Sequence, residues 1–456
     1  IAVIGPNANF CRFGTYSGKP SKQITPLEGI KEIVPNARIE YAQGTSILEP
    51  QLPSLNDSLF FINDSTPGII VEYYKGLSMK KDVDLIRIES SPNIKWAMDG
   101  TPDSINFEPN NFCTRMIGNV KVKSSGYYKI NINGIDGIRF YFKDSLVVDK
   151  LSENYSHTTF ISDYLERGKL HSFVIEYYED EGWGEVRMGM KAVTKGLESE
   201  AISVAKSNDM VVMFAGTYDY IEAEGRDRAD TELPKDQKEL LKKLYSVNPN
   251  LCLVLINGST ISMPWASENI PAILEAWYPG QSGGRAIAEA LFGDYNPGGK
   301  LPITFYKNLS QLLPFDDYDI RKGRTYMYLK DSPLYPFGYG LSYTEFDITS
   351  ATIDKESYFI NDSISLSFKI SNTGGVIGSE VPQVYIERDN VKRLKAFKRV
   401  FLDNQETKKV QLKISVKDLE LWDENSEMYK VESGDYTIHL GTSSADIEWS
   451  ESFTIL

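Results

Sequence analysis

The sequence predicts a multidomain protein in which an α/β domain with a parallel sheet is combined with two β-sandwiches. In residues 1–66 and 195–345, apolar strand-like runs alternate with amphipathic helix-like stretches, as is typical of a parallel sheet. From about residue 67 to 194, short alternating strands with Gly and Asp turns indicate an antiparallel sandwich. From about residue 346 onwards, strands such as ISLSFKISNTG and GDYTIHLGTS have the spacing of a small immunoglobulin-type sandwich.

The simplest organisation is one α/β domain that is interrupted by an all-β insertion. We expect the α/β domain at 1–66 and 195–345, the inserted sandwich at 67–194 and the C-terminal sandwich at 346–456. Such an insertion has to enter and leave at neighbouring points of a surface loop.

The α/β segments have clear helix and strand signals. IAVIG is a strand, TPLEGIKEIVPN is a helix with Thr25 as N-cap and Pro26 at its first position, and ARIEYAQG is a second strand. After the insertion we expect the helix LESEAISVAKSND, the strand MVVMFAG, the helix PKDQKELLKKLYSV, the strands LCLVLING and AILEAW, and the helix QSGGRAIAEALFG.

Composition excludes several classes of function. The net charge of -14 over 456 residues argues against a nucleic-acid partner, which clustered Lys and Arg would have to bind. Because no apolar run reaches about 18 residues, we expect no membrane span. Cys11, Cys113 and Cys252 form neither a disulfide framework nor a metal motif, and one Gly after the first strand is no dinucleotide fingerprint, so we expect no metal and no cofactor.

A charged stretch, IEAEGRDRAD at 221–230, holds the candidate catalytic carboxylate. It follows the strand MVVMFAG, and ligands of parallel sheets bind at the carboxyl ends of the strands. This position singles out Glu224, and the following glycine allows close backbone approach. We expect Arg226 and Arg228 to pair with Asp227 and Asp230. From composition alone, a solvated charged loop is the favoured alternative.

A Ser-His-Asp triad is not supported. The histidines are His157, His171 and His439, and none of them falls on a loop of the α/β domain. A triad there would have no base.

Several long stretches together resemble one enzyme family. IAVIGPNA, EGRDRADTELP, YPGQSGGRAIAEALFGDYNPGGKLPITF and PLYPFGYGLSYTEF resemble the C-terminal half of a glycoside hydrolase family 3 β-glucosidase. SNTGGVIGSEVPQVYI, RLKAFKRVFL and SGDYTIHLGTSSADI resemble the family's fibronectin type III-like domain. GIIVEYY, NGIDGIRFYFKDSLVVD and VIEYYEDEGWGEVRM resemble a protective-antigen-type sandwich, which some members carry as an insertion at this place.

The resemblance implies an exo-acting, retaining β-glycosidase that uses two carboxylates. In the family, a nucleophilic Asp lies on an N-terminal (β/α)8-type barrel, and the acid/base Glu lies on a loop of the α/β domain. Glu224 matches the acid/base residue because the glycine after it, Asp227 and Arg228 complete the motif and would support the loop. Glu222 is its near competitor. In a retaining enzyme the two carboxyls lie about 5–5.5 Å apart.

The chain departs from the family in one respect, because no Asp matches the nucleophile and no barrel precedes Ile1. We therefore expect a fragment or one part of a longer enzyme, inactive alone. Since the chain opens in mid-strand, we also expect sequence upstream of it.

Residues outside the acid/base loop are also candidates for sugar contacts or for structural roles. In the insertion, Trp183 and Asp136 are candidate sugar contacts, with Trp96 a weaker one, although aromatics in sandwiches are more often core. Tyr335, Phe337 and Tyr339 of the PLYPFGYGLSYTEF stretch are expected to pack as structural residues. Asp316 and Asp317 are expected in a turn.

Two other functions remain open at this point. One is a non-catalytic carbohydrate-binding protein derived from the family, and the other is a member that acts by phosphorolysis. An oligosaccharide or β-glucoside is the expected small-molecule partner. The sugar, its linkage, homo-oligomerisation and the compartment stay open, although a periplasmic or secreted location fits a polysaccharide-degrading enzyme.

Overall fold

The computed structural model divides the chain into two compact units, Ile1–Ile47 with Gly196–Leu456, and Leu48–Lys195. It describes residues 1–14, 16–18, 20–46, 52, 56–79, 82–96, 111–151, 155–180, 184–193, 195–218, 221–225 and 227–456, with side chains omitted at 155–157.

The first unit contains the expected parallel sheet. Its five described strands lie in the order Ala272–Glu275, Leu251–Ile256, Val211–Gly216, Ala2–Ile4, Glu40–Ala42, and every pairing is parallel. Numbered along the chain, the spatial order from the opposite edge is 2-1-3-4-5. The order in which successive strands are added therefore reverses between Ala2–Ile4 and Val211–Gly216, and ligands of such sheets bind at this switch point.

The helices of this unit form where the sequence predicts them, except for two short ones. Thr25 is the N-cap of Pro26–Ile33 in a complete capping box: the Glu28 backbone N–H donates to Thr25 Oγ1 (3.2 Å), and the Thr25 N–H donates to the Glu28 carboxylate (2.8 Å). The described α-helices are Pro26–Ile33, Leu197–Lys206, Lys235–Val247, Pro264–Asn269, Gly283–Phe292 and Thr325–Tyr328. Short 3₁₀ turns occupy Leu309–Gln311 and Ile320–Lys322 in this domain, Asp57–Leu59 in the second unit and Val416–Leu419 in the last domain.

The three central strands of the parallel sheet are buried on both faces, which explains why they are continuous apolar runs. Ile4, Met213 and Leu253 belong to the hydrophobic core on one face. Phe214 and Val254 belong to the core on the other face.

The second unit is the expected antiparallel sandwich. One of its sheets has the order Ser145–Lys150, Gly137–Phe142, Leu170–Glu179, Phe112–Lys121, Ile69–Lys75, Leu85–Glu89, with Phe60–Phe61 also paired to Phe112–Lys121. The other has the order Tyr155–Ile161, Tyr128–Ile135, Gly184–Ala192, Ile94–Trp96.

This compact unit starts earlier than residue 67, the start predicted from the sequence. Phe60–Phe61 pairs with a strand of the sandwich, so residues before 67 belong to its sheet. The precise domain bounds remain a prediction.

The C-terminal part of the first unit is a second sandwich. Its larger sheet has the order Ser357–Tyr358, Ile447–Ile455, Gly434–Gly441, Gln383–Arg388, Val391–Phe397, and its smaller sheet has the order Phe346–Ile353, Ser363–Asn372, Thr407–Ser415. Two strand pairs complete it: Gly378–Glu380 with Val400–Leu402, and Leu421–Asp423 with Met428–Lys430.

The aromatic stretch before this sandwich packs as structural residues. The Tyr335 and Tyr339 rings stack with their centroids 5.3 Å apart, and Phe337 stacks on Tyr326 at 4.5 Å. Tyr326 also accepts the Leu394 N–H of the sandwich at 2.9 Å. The expected structural role of Tyr335, Phe337 and Tyr339 agrees with these contacts.

A buried ion pair joins the α/β domain to the C-terminal sandwich. Lys300 Nζ lies 2.8 Å from Glu380 Oε1, and the two side chains are only 11% and 8% exposed. Lys300 also donates to the Gly340 carbonyl at 2.7 Å. Removing one partner of such a pair leaves the other charge buried without compensation.

We predict that Glu380→Gln destabilises the protein by about 3–5 kcal/mol in urea unfolding, because the Lys300 charge stays buried. The matched control is Glu239→Gln, whose partner Lys235 is 87% exposed; its effect should stay below about 0.5 kcal/mol. Equal effects of the two substitutions would contradict the role given to the buried pair.

Candidate active site

The loop that follows Val211–Gly216 begins at the switch point of the sheet. Gly216 has a φ of 129°, and a Cβ there would collide with the Ile256 carbonyl oxygen, so only glycine fits this strand end. Gln237 holds the same residue: its Nε2 donates to the Gly216 oxygen at 3.0 Å, and its Oε1 accepts the Gly216 N–H at 2.9 Å. The start of the loop is thus fixed to the helix Lys235–Val247.

Glu222 binds the ends of three neighbouring strands together. Its carboxylate accepts hydrogen bonds from the Thr217 hydroxyl, the Gly258 N–H and the Ser259 hydroxyl. Tyr278 Oη donates to Glu222 Oε1 at 2.8 Å. We call these five residues the strand-end cluster, because the four donors follow Val211–Gly216, Leu251–Ile256 and Ala272–Glu275.

The strand-end cluster keeps Glu222 ionised. Burial favours the neutral acid and is the largest single influence on its pKa, but the hydrogen bonds from Ser259, Thr217, Gly258 and Tyr278 together outweigh it and lower the pKa of Glu222. A carboxylate in this state is a poor proton donor near neutral pH.

Arg228 reinforces the loop, although not with the partners expected. Its Nη2 donates to the Thr260 carbonyl at 2.6 Å, and its Nε lies 3.9 Å from Glu222 Oε2. The expected pairing with Asp227 or Asp230 is wrong: Asp227 is exposed, and Asp230 accepts the Glu232 N–H at 2.8 Å. The reason is that Arg228 points inward, to a carboxylate and a carbonyl that need a donor. Arg226 lies outside the described residues.

Glu224, two residues after Glu222, is in a different environment. Its side chain is exposed, and its Oε2 accepts a hydrogen bond from Tyr16 Oη. This contact raises the pKa of Tyr16. Tyr16 follows Ala2–Ile4, so the pair joins the two loops on either side of the switch point. Gly225 has a φ of 71°, and this backbone turn separates Glu224 from the rest of the loop.

A third carboxyl group, Glu275, lies beside the strand-end cluster. Its Oε1 accepts the Trp277 N–H at 3.0 Å, and Asn257 Nδ2 lies 3.4 Å from its Oε2. Burial raises the pKa of Glu275 to about 8; the negative charge of Glu222 adds to this, while the bonds from Trp277 and Asn257 oppose it. Glu275 is therefore mostly protonated at neutral pH.

Sequence reasoning missed Glu275, Asn257, Thr217 and Gln237. Each lies at or next to a strand end, or on the helix packed against one, so the parallel-sheet prediction contained a usable signal. The sequence does not show that Glu275 lies near Glu222, 53 positions away, because only the crossovers bring their two strands to either side of Leu251–Ile256.

The remaining candidate residues lie elsewhere. Asp136 is in the second unit with a φ of 71°, and its carboxylate accepts the Asp180 N–H at 3.3 Å. Trp183 lies outside the described residues. Trp96 is 6% exposed and stacks on Tyr177 in the sandwich core. Asp317 is in the expected turn, donating its N–H to the Pro314 carbonyl at 3.0 Å.

The described part of the chain has neither a metal-ligating cluster nor a helix that could span a membrane. Within it, no group of three or more His, Cys, Asp or Glu side chains is arranged to hold a metal ion. Its helices are all too short or too polar to cross a bilayer.

The fold agrees with similarities to known proteins. Residues 1–343 match the glycosyl hydrolase family 3 C-terminal domain, and residues 380–444 match a fibronectin type III-like domain. A xylan 1,4-β-xylosidase of Xylanibacter ruminicola is 30% identical over 98% of this chain and 53% of its own length. A probable β-glucosidase J of Neosartorya fischeri is 30% identical over 96% of this chain and 57% of its own length.

A solved structure is similar over the whole chain. The β-glucosidase from Kluyveromyces marxianus in complex with glucose has a TM-score of 0.72 and 27% identity, over 100% of this chain and 58% of its own. The structural class of the chain is an α/β domain with an inserted and a C-terminal β-sandwich. The match of residues 1–343 to the domain model shows its family. The chain belongs to glycosyl hydrolase family 3, and it spans just over half the length of the curated relatives it matches.

We predict that Glu275→Gln changes how stability depends on pH. In the native protein the raised pKa gives stability that is complete below the ordinary carboxyl pKa near 4.5 and is lost as the pH rises to about 8. The free energy of unfolding of the native protein, relative to Glu275→Gln, should therefore fall by about 2–4 kcal/mol across this range.

The measurement is urea unfolding of both proteins at several pH values. The control is Glu268→Gln on the helix Pro264–Asn269, an exposed residue, whose difference from the native protein should not vary with pH. A difference for Glu275→Gln that is equally flat would show that Glu275 titrates normally.

Proposed function

We propose that this chain is the acid/base-bearing portion of a retaining, exo-acting β-glycosidase that releases terminal nonreducing β-D-sugars. Glu224 is the general acid/base: it protonates the departing sugar oxygen and later takes a proton from the attacking water. The observation that carries the proposal is the position of Glu224, exposed at the switch point and bonded to Tyr16 of the neighbouring loop.

The difference between the two neighbouring glutamates supports this choice. Glu222 accepts bonds from Thr217, Gly258, Ser259 and Tyr278 and has a lowered pKa, so it has neither a free oxygen nor a proton for a substrate. Glu224 has one described protein partner, and its side chain is open to solvent. In this proposal Glu222 and Arg228 position the loop, and Glu224 acts on the substrate.

The nucleophile comes from outside this chain in our proposal. A retaining reaction requires a second carboxyl about 5–5.5 Å from the first, which attacks the anomeric carbon. Glu222 and Glu275 are both committed to the strand ends, and the chain spans just over half the length of its relatives. An N-terminal barrel that carries a nucleophilic Asp would complete the site.

Two residues of the insertion, Trp183 and Asp136, are proposed sugar contacts.

The substrate class follows from the relatives. They are named as β-glucosidases and β-xylosidases, so we propose a β-D-glucoside or β-D-xyloside. The competing proposal is a carbohydrate-binding protein without catalysis, which is consistent with the commitment of Glu222 and Glu275 to bonds at the strand ends.

We predict that the chain alone does not hydrolyse 4-nitrophenyl β-glucoside or 4-nitrophenyl β-xyloside, because it does not supply the attacking carboxylate. The full-length protein that contains it should hydrolyse at least one of them. Nitrophenol release is the measurement. Turnover by the chain alone would place the nucleophile within it, and a full-length protein that binds sugar without turnover would support the non-catalytic alternative.

We predict that Glu224→Ala in the full-length protein lowers kcat/KM by about 10²–10⁴-fold on cellobiose, whose leaving group needs a proton. The loss should be much smaller on 2,4-dinitrophenyl β-glucoside, whose leaving group does not. Azide should restore turnover of the second substrate and yield a β-glycosyl azide, because azide needs no general base.

Glu222→Ala is the matched control. It should lower activity on both substrates without azide rescue, because it releases the loop instead of removing the proton donor. Azide rescue of Glu222→Ala but not of Glu224→Ala would exchange the two assignments.

A further inference from the structure

Glu275 is a carboxyl group that the proposed reaction does not use. It is the last residue of Ala272–Glu275, and its two oxygens contact different strand ends: Oε1 accepts the Trp277 N–H at 3.0 Å, and Oε2 lies 3.4 Å from Asn257 Nδ2. Asn257 is fully buried and also donates to the Ser259 carbonyl at 2.9 Å.

The Trp277 bond holds an unusual turn. Trp277 has a φ of 52°, in the left-handed region that side chains other than glycine rarely occupy, so its surroundings must hold it there. The Glu275 carboxyl is the acceptor that fixes its N–H. The next residue, Tyr278, leaves this turn toward Glu222 and donates to it at 2.8 Å. Glu275 is therefore connected to the strand-end cluster through two consecutive residues.

The charge state of Glu275 affects the contacts that join it, through Trp277 and Tyr278, to Glu222. The charged group that acts on Glu275 is Glu222, which in turn accepts the Tyr278 hydroxyl and lies 3.9 Å from Arg228 Nε. Arg228 can compensate one carboxylate, and Glu222 is that carboxylate. A second negative charge at Glu275 would repel Glu222 in a buried environment.

We propose that Glu275 is a positioning residue for the acid/base loop: as a neutral carboxylic acid it fixes the Trp277–Tyr278 turn, and Tyr278 then holds Glu222 and the loop that carries Glu224. The inference rests on Glu224 as the proton donor of the proposed function. When Glu275 ionises, burial of the new charge, with repulsion from Glu222 added to it, favours opening of the turn, and the loop loses one of its attachments. Glu275 then contributes to the alkaline loss of activity beside the general acid itself, and the order of the loop separates the two contributions.

The test compares the full-length native protein with Glu275→Gln, Glu275→Ala and the control Glu268→Gln. The kcat/KM for 4-nitrophenyl β-glucoside and β-xyloside is measured from about pH 5 to about pH 9.5, a range that spans the titration of Glu275. Deuterium uptake of residues 217–230 is measured at both ends of this range and corrected for intrinsic exchange, as a readout of loop order that does not depend on turnover.

Glu275→Gln stays neutral and keeps an acceptor for the Trp277 N–H. Its amide group faces Asn257, whose Oδ1 is buried without a hydrogen-bond partner in the described structure and can turn to accept. It should retain kcat/KM within about threefold near pH 6.5, and its alkaline loss should move upward by at least about one pH unit. Its loop should stay protected at high pH, where the native loop exchanges faster.

Glu275→Ala removes the acceptor, so kcat/KM should fall about tenfold or more at every pH, with increased loop exchange throughout. Glu268→Gln should match the native protein. The proposal is overturned if Glu275→Gln has the native pH dependence of both activity and loop exchange. If Glu224→Ala instead proves fully active, the assignment of Glu224 fails, and the exchange data alone decide whether Glu275 holds the loop.

Discussion

The local structure of the site depends on one carboxylate, Glu222, and the donors that surround it. A parallel sheet ends its strands side by side, and the loops that follow would diverge if nothing connected them. Here the Thr217 hydroxyl, the Gly258 N–H and Ser259 hydroxyl, and the Tyr278 phenol come from three successive strand ends and meet at the same group. Hydrogen bonds to an ionised acceptor are about twice as strong as neutral ones, so this cluster fixes the loop in which Glu224 lies.

Charge explains why Glu222 and Glu275 differ in ionisation, and how the three glutamates can take the different roles that we propose. The strand-end donors stabilise the charged form of Glu222, and burial next to that charge stabilises the neutral form of Glu275. The interior therefore contains one negative charge near Arg228. Glu224 lies outside this arrangement, at the surface, with Tyr16 as its described partner. A proton donor has to be accessible to a substrate, and Glu224 is the exposed one of the three carboxyl groups.

Much of the fold could be predicted from the sequence, because its signals are local. The capping box at Thr25, the apolar strand runs and the alternating sandwich strands each lie within a few residues. The candidate loop was found because it follows a buried strand. The partners of Glu222 and the burial of Glu275 could not be found in this way, because they depend on which strands become neighbours. The inward direction of Arg228 was missed for the same reason: its partner is set by packing, while the sequence shows only adjacent aspartates.

The central claim is that Glu224, and not Glu222, contacts the glycosidic oxygen. The most direct measurement is a crystal structure of the full-length protein with a nonhydrolysable thioglycoside bound. We expect a Glu224 carboxyl oxygen within hydrogen-bond range, about 3–3.5 Å, of the glycosidic sulfur, with Glu222 still bonded to Thr217, Ser259 and Tyr278. A thioglycoside sulfur next to Glu222, or one far from both glutamates, would contradict the account.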